Sequence, residues 1–145
     1  MNTPMSKIYT DGSCLSNPGI GGWAFIIIEN EDIEVIGYNS ENNTTNNRME
    51  LEAVIQALTY LEKNECKLYT DSQWVLNCAI GKWKRKANLD LWEKYNKISK
   101  NIKINWEWVK AHNGDKYNEL VDNFARSEAK NYEKNLKILP YNKLK

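Results

Sequence analysis

Two aspartates in this chain, Asp11 and Asp71, sit in the same local context, Tyr9-Thr10-Asp11 and Tyr69-Thr70-Asp71. If the two short β-prone stretches that end in them pair side by side, their carboxylates become neighbours. Like charges held that close raise one another's pKa unless a cation neutralises them. Hard oxygen donors with no partnering His or Cys suit Mg²⁺ or Mn²⁺ rather than zinc. Magnesium keeps several waters and binds through one or two carboxylates together with substrate phosphate, so the pattern points to phosphoryl transfer.

Taken singly, each acid has an ordinary explanation. Asp11 before Gly12 suits a turn. Glu50 stands three residues after Asn47 at a helix start, the spacing of a capping box. Asp71, followed by Ser72, suits a helix N-cap. Glu119 and Asp122 both lie off the apolar stripe of their helix, and periodicity does not separate one from the other. His112 is the single histidine, on a loop with Asn113 and Gly114. Its reference pKa of about 6.5 fits it to move protons near neutral pH. The densest basic run, Lys82-Trp83-Lys84-Arg85-Lys86, reads alone as a solvated surface and beside a nuclease site as a contact to a nucleic-acid backbone.

The elements that must position these groups follow from hydrophobic period and turn chemistry. Residues 7–10 form a short strand running into a turn at Asp11-Gly12-Ser13, and a loop follows through Gly21-Gly22. Residues 23–28 are a buried strand and residues 33–38 a third, with a polar loop over 39–47. Leu51, Val54, Ile55, Leu58 and Leu61 recur at helical spacing, predicting a helix over 48–63. A strand at 67–70 leads into a short helix at 72–79 that Gly81 ends. A helix over 90–100, an alternating strand over 103–109 and a helix capped by Asp115 and reaching about 131 complete the order. The remainder, through Lys145, reads as a polar tail without a period. This is one α/β domain with a hairpin-rich start and parallel crossovers later. Sites in such sheets lie outside the carboxyl ends of the parallel strands, which is where Asp11 and Asp71 fall.

Composition agrees with a soluble globular domain: 145 residues, 41% hydrophobic and 27% charged. No apolar run approaches the roughly 20 residues needed to span a bilayer, so no membrane association is expected. The N-terminus lacks a signal-peptide stretch, and the expected compartment is the cytoplasm. Three cysteines, Cys14, Cys66 and Cys78, form no Cys-x-x-Cys pair, which argues against a disulfide framework or a zinc–thiolate site. A net charge of +1 gives no strong overall attraction to nucleic acid.

The stretch from Thr10 to Gly19 (TDGSCLSNPG) resembles the opening of a type 1 ribonuclease H. So do Thr44-Thr45-Asn46-Asn47-Arg48-Met49-Glu50-Leu51, Thr70-Asp71-Ser72-Gln73, the segment from Trp106 to Gly114 (WEWVKAHNG), and Asn118-Glu119 with Asp122 and Ala125. Each block alone is common; in the family's order they cover residues 7 to about 130. The resemblance implies a five-stranded mixed sheet flanked by helices, strands 1 to 3 antiparallel and strands 4 and 5 parallel to strand 1. It implies endonucleolytic cleavage of the RNA strand of an RNA–DNA hybrid, leaving 5′-phosphate and 3′-hydroxyl ends. The family's metal-binding carboxylates fall on Asp11, Glu50, Asp71 and Asp122, choosing Asp122 over Glu119. Two Mg²⁺ ions are expected with substrate (Mn²⁺ being the other candidate), one held by Asp11 and Asp122, the second by Asp11, Glu50 and Asp71.

His112 matches the histidine that the family carries on a mobile loop. Gly12, Ser13, Cys14, Ser16 and Asn17, with Asn46 and Gln73, match residues that read the RNA minor groove and its 2′-hydroxyls. Thr45 and Asn88 resemble a pocket for a phosphate of the DNA strand, and Trp83, Lys84, Arg85 and Lys86 are expected along that strand's backbone. The chain departs from the long bacterial form, whose extra helix and basic loop are reduced here to residues 81–88. No separate hybrid-binding domain is expected before Lys7, so binding should be weak and salt-sensitive, and a monomer is expected. Two other readings keep the same fold: a catalytically silent hybrid- or double-strand-binding module, and a DNA nuclease of the transposase or resolvase kind. The acid quartet separates the first from an enzyme; Asn46, Gln73 and the first loop favour RNA over the second.

Overall fold

The computed structural model describes residues 5–143, with side chains through residue 134. In chain order the elements are β1 (Ser6–Cys14), β2 (Gly19–Glu29), β3 (Asp32–Thr44), α1 (Asn46–Tyr60), β4 (Glu65–Thr70), α2 (Gln73–Ala79), α3 (Leu89–Ser99), β5 (Lys103–Trp108) and α4 (Lys116–Lys143). They form a five-stranded sheet in the order β3-β2-β1-β4-β5. β1 and β2 pair antiparallel, as do β2 and β3, whereas β4 runs parallel to both β1 and β5.

The apolar run of β2 is explained by burial on both faces. Trp23, Phe25 and Ile27 join a core with α1, α2 and α3, in which Leu51, Val54, Leu58, Val75 and Trp92 are buried. Ala24, Ile26 and Ile28 join Val121 and Ala125 of α4 on the other side. The sheet is thus the middle of three layers, and its central strand β1 is covered on both faces.

Several strands run further than their apolar residues indicate. Asp11-Gly12-Ser13 is not a turn: β1 continues through it, with Asp11 opposite Ala24 and Gly12 opposite Trp23. Gly21 and Gly22 likewise belong to β2, and β3 runs through the polar residues to Thr44. The glycines are there for close approach. A Cβ on Gly12 would stand 2.3 Å from the Glu50 nitrogen of α1, and one on Gly22 would stand 2.3 Å from the Ala125 carbonyl of α4. Two helices therefore sit on bare backbone, one over each face of the β1–β2 pair.

Helix starts differ from the expected ones by a residue or two. α1 is capped by Thr45, whose hydroxyl accepts from Arg48 N at 3.3 Å, so Asn47 is inside the helix and the capping box does not form. Ser72, not Asp71, caps α2, accepting from Val75 N at 3.1 Å. Asp115 caps α4, its Oδ1 accepting from Tyr117 N and Asn118 N at 3.1 and 2.9 Å. The stretch after residue 131 that reads as a polar tail continues α4 as backbone helix to Lys143. No helix among the described residues is long and apolar enough to cross a membrane.

Candidate active site

The parallel register that sets Tyr9 opposite Tyr69 carries the two strands forward to Asp11 and Asp71. Asp11 is inside β1 and 3% exposed; Asp71 lies just past the end of β4, where Thr70 Oγ1 accepts from Ser72 N at 3.0 Å and turns the chain toward α2. Glu50 arrives from the first turns of α1, buried, its Oε1 accepting from Gly12 N at 2.6 Å. The close contact that demands glycine at position 12 is thus the one that seats Glu50. Asp11, Glu50 and Asp71 each offer a carboxylate oxygen within 4.8 Å of the others.

Asp122, in the second turn of α4, stands beside this trio at the edge of the cluster. It is hydrogen-bonded to Asp11 and close enough to Asp71 to raise its pKa. One of its oxygens, Oδ2, is held by Arg126 Nη2 at 2.8 Å, one helical turn on. His112 Nδ1 faces the same oxygen at 4.0 Å, with the imidazole 72% exposed. The histidine sits in a left-handed conformation (φ 54°), and Gly114 two residues on does the same (φ 84°), so the loop after β5 folds back over α4's first turns.

The electrostatics are those of acids forced together. Burial, then Glu50 and Asp71, push the Asp11 carboxyl well above the usual carboxylate range. Burial also raises Glu50, against the opposing hydrogen bonds from Asp11 and Gly12 N. Asp71 is raised by burial too, although a hydrogen bond from Asn118 favours its charged form. Without a cation the site holds protons, since three desolvated charges this close repel strongly.

The expected substrate residues fall into one continuous rim and a separate basic stretch. Asn17 Oδ1 accepts from Asn46 N at 3.0 Å, which ties the first loop, carrying Ser16, to the start of α1. Gly12, Ser13 and Cys14 form the end of β1 leading into that loop, with the Cys14 thiol donating to Ser16 O at 2.8 Å. Gln73 opens α2 on the other side of Asp71 and is exposed. Thr45 and Asn88 are brought together by Arg48: its backbone nitrogen bonds Thr45, its Nη1 donates to Asn88 Oδ1 at 3.1 Å, and its guanidinium pairs with Asp90 at 2.8 Å.

The basic run is split. Trp83, Lys84 and Lys86 are exposed, as expected of a contact face. Arg85 departs from the expectation and turns inward. Its Nε donates to Cys78 O at 3.0 Å and its Nη1 to Asn96 Oδ1 at 2.7 Å, while the guanidinium lies 4.2 Å over Trp92. The end of α2, Asn96 and the planar face of Trp92 engage its donors and its cation, so Arg85 braces the connector and is not free to meet a substrate phosphate.

Sequence reasoning missed Asn118 and Arg126. Asn118, 2% exposed, donates its amide to Asp71; the resembling block Asn118-Glu119 marked the position, but nothing in its local sequence announces this contact. Arg126 was findable, because four residues separate it from Asp122 and opposite charges at that spacing meet on a helix.

The sequence description of the RNase H family matches residues 4–130. The chain belongs to the type 1 ribonuclease H family. It is 47% identical over 133 residues to ribonuclease H of Campylobacter jejuni (strain 81-176), covering 85% of this chain and 90% of that protein. Its fold matches the N-terminal RNase H domain of a Mycobacterium tuberculosis protein, with a TM-score of 0.83 at 23% identity over 91% of this chain and 98% of that one. It also matches LC11-RNase H1, solved in complex with an RNA/DNA hybrid, with a TM-score of 0.74 at 24% identity over 88% and 98% of the two chains. As a ribonuclease H the chain is a hydrolytic endonuclease, and the five-stranded sheet with parallel β4 and β5 is the fold that the resemblance implies.

Proposed function

We propose that the chain cleaves the RNA strand of RNA–DNA hybrids at the Asp11–Glu50–Asp71–Asp122 cluster, with two Mg²⁺ ions per site when substrate is bound, leaving 5′-phosphate and 3′-hydroxyl ends. The observation that carries this is the trio of buried and half-buried carboxylates within 4.8 Å of one another. Its donor set fits divalent magnesium or manganese: all oxygen, all anionic, with no His or Cys in the trio. A bound ion pair supplies positive charge to the attacking and leaving oxygens of an in-line displacement. Asp11 stands between Glu50 and Asp122 and would be shared, Asp71 and Glu50 would complete one side, and Asp122 the other.

The chain's own residues do the remaining work. Gly12 N holds Glu50, and Asn118 holds Asp71, so neither carboxylate must be ordered at the moment of reaction. His112, exposed and 4.0 Å from Asp122, gives a proton to the 3′-oxygen as it leaves as the 3′-hydroxyl, and recovers one from solvent afterwards. The rim of Ser13, Cys14, Ser16, Asn17, Asn46 and Gln73 offers short polar groups and backbone to a wide, shallow minor groove, where 2′-hydroxyls mark RNA. The hybrid bound to LC11-RNase H1 supports this substrate for a chain of the same fold.

The test uses end-labelled RNA–DNA hybrid, RNA duplex and DNA duplex, each with Mg²⁺ and then with chelator. Cuts confined to the RNA of the hybrid, lost with chelator and bearing 5′-phosphates, are the expected result. Binding of hybrid without cleavage would identify a silent binding module, and cleavage of duplex DNA would identify a nuclease of the transposase kind; either overturns the proposal.

A further inference from the structure

We propose that the groove between the end of β5 and α2 binds an unpaired nucleotide of the strand being cut, a single-stranded RNA segment leaving the hybrid beside the acid cluster. This rests on the function proposed above and names a subsite for it. Ile104, Trp106 and Trp108 alternate along β5; the first two pack against the core, but Trp108 is 45% exposed. The ring is nevertheless fixed. Its Nε1 donates to Asp71 O at 3.2 Å, and the following residue, Val109, bonds Thr70 O at 2.9 Å. An indole whose one donor is already satisfied offers only its face, and this face lines a groove of about 270 Å³.

Gln73, Leu76 and Asn77, on one side of α2, line it as well, together with Lys82. Lys82 is placed there by the connector: Gly81 takes φ 82° and reverses the chain, and Trp83 N bonds Asn77 O at 3.0 Å, holding the returning segment along α2. Among the described residues Lys82 forms no ion pair. An aromatic face, an apolar side chain, two amides and an unengaged cation suit a nucleotide, with the base on Trp108 and a phosphate near Lys82. A base within the hybrid already stacks on both neighbours and has its pairing edge occupied, so only a nucleotide outside the duplex can use the indole face. Asp71 sets which strand this is. Its side chain belongs to the acid cluster and its carbonyl holds Trp108, so the groove opens next to the position that the cut strand's phosphodiester must take.

The test compares binding of Asp11→Asn protein to a blunt hybrid and to hybrids carrying single-stranded extensions of about five nucleotides on the RNA strand or on the DNA strand. An RNA-strand extension at one end should tighten binding by about five- to tenfold, in the range of one stacked base with a phosphate contact. The ratio of extended to blunt affinity is the readout, since damage to the acid site moves both together. Trp108→Ala and Lys82→Ala should each reduce the ratio toward one, and Trp108→Phe, which keeps a ring, should retain most of it. Lys82 is exposed, so its variant keeps the test valid if Trp108→Ala fails to fold. No gain from either RNA-strand extension, a ratio that survives both alanine variants, or a gain confined to the DNA-strand extension would overturn the proposal. Cleavage of the blunt hybrid by the unaltered protein shows separately whether the function itself holds.

Discussion

Asp11 is where burial and charge act most strongly on one side chain, and the consequences extend to stability. Its carboxyl, with those of Glu50 and Asp71, is raised above the usual range, chiefly by burial and then by the other acids. The folded, metal-free protein therefore keeps protons that the unfolded chain has released. Stability from this source is complete below the unfolded carboxylate pKa of about 4 and is lost as pH rises through the folded values. Replacing Asp11 by Asn removes one of the repelling groups. The metal-free Asp11→Asn protein should then melt higher than the parent at pH 8, by roughly 2–4 °C for each kcal/mol relieved, and the gap should close toward pH 4. Saturating Mg²⁺ should shrink the gap at pH 8 by stabilising the parent more than the variant. The same change should lower hybrid cleavage by more than about 100-fold, because in the proposed two-ion site Asp11 would be the ligand shared by both ions. Melting curves across pH and a cleavage assay check the two halves; a variant less stable than its parent at pH 8 would contradict the electrostatic reading.

Elements place these residues through contacts that leave no room for a methyl group. α4 lies on β2 where Gly22 would carry a Cβ 2.3 Å from Ala125 O and 2.9 Å from Ala129 N, and Asp122 rides on that helix one turn earlier. Gly22→Ala must push the helix backbone outward, at a cost of about 1–3 kcal/mol as for other overpacked contacts. Melting temperature should fall, and activity should fall further than stability explains, because Asp122 moves without being touched; cleavage measured well below the melting point checks this. The order and type of every element could be read from hydrophobic period, and so could the meeting of Asp11 with Asp71, because both rest on residues that bury themselves. Element ends were less legible. Asp11-Gly12-Ser13 carries turn chemistry, yet ladder pairing with β2 and the close approach of α1 keep it extended. Ile33 and Val35 should share a face, but the register shift opposite Ile27 and Ile28 leaves Ile33 exposed while Val35 packs inward. Glu50 had a sound local explanation as a capping residue; its spacing alone did not set it among the acids, the resemblance did, and the tertiary contact with Gly12 supplies the physical reason.

At the scale of the whole molecule, a protein of net charge +1 must bind a polyanion next to a knot of carboxylates. All three arginines are already engaged: Arg48 with Asp90 and Asn88, Arg85 with the end of α2 and Trp92, and Arg126 with Asp122. Lysines are left to meet phosphate, and a compact hydrated ammonium does so as a point charge without the paired hydrogen bonds of a guanidinium. Such contacts act mainly by releasing condensed counterions, so they fade steeply with salt. Lys84 and Lys86 are exposed beside Trp83 on the connector between α2 and α3. Each phosphate contact contributes a little under one unit to the slope of log affinity against log salt. Removing both side chains in Lys84→Ala/Lys86→Ala should therefore flatten that slope by nearly two units and weaken hybrid binding at low salt, with little change in turnover once substrate saturates. The Asp11→Asn background permits the binding titrations, and KM and kcat in the active protein give the second reading. An unchanged slope would show that these lysines face solvent only and that the hybrid approaches along another side of the connector.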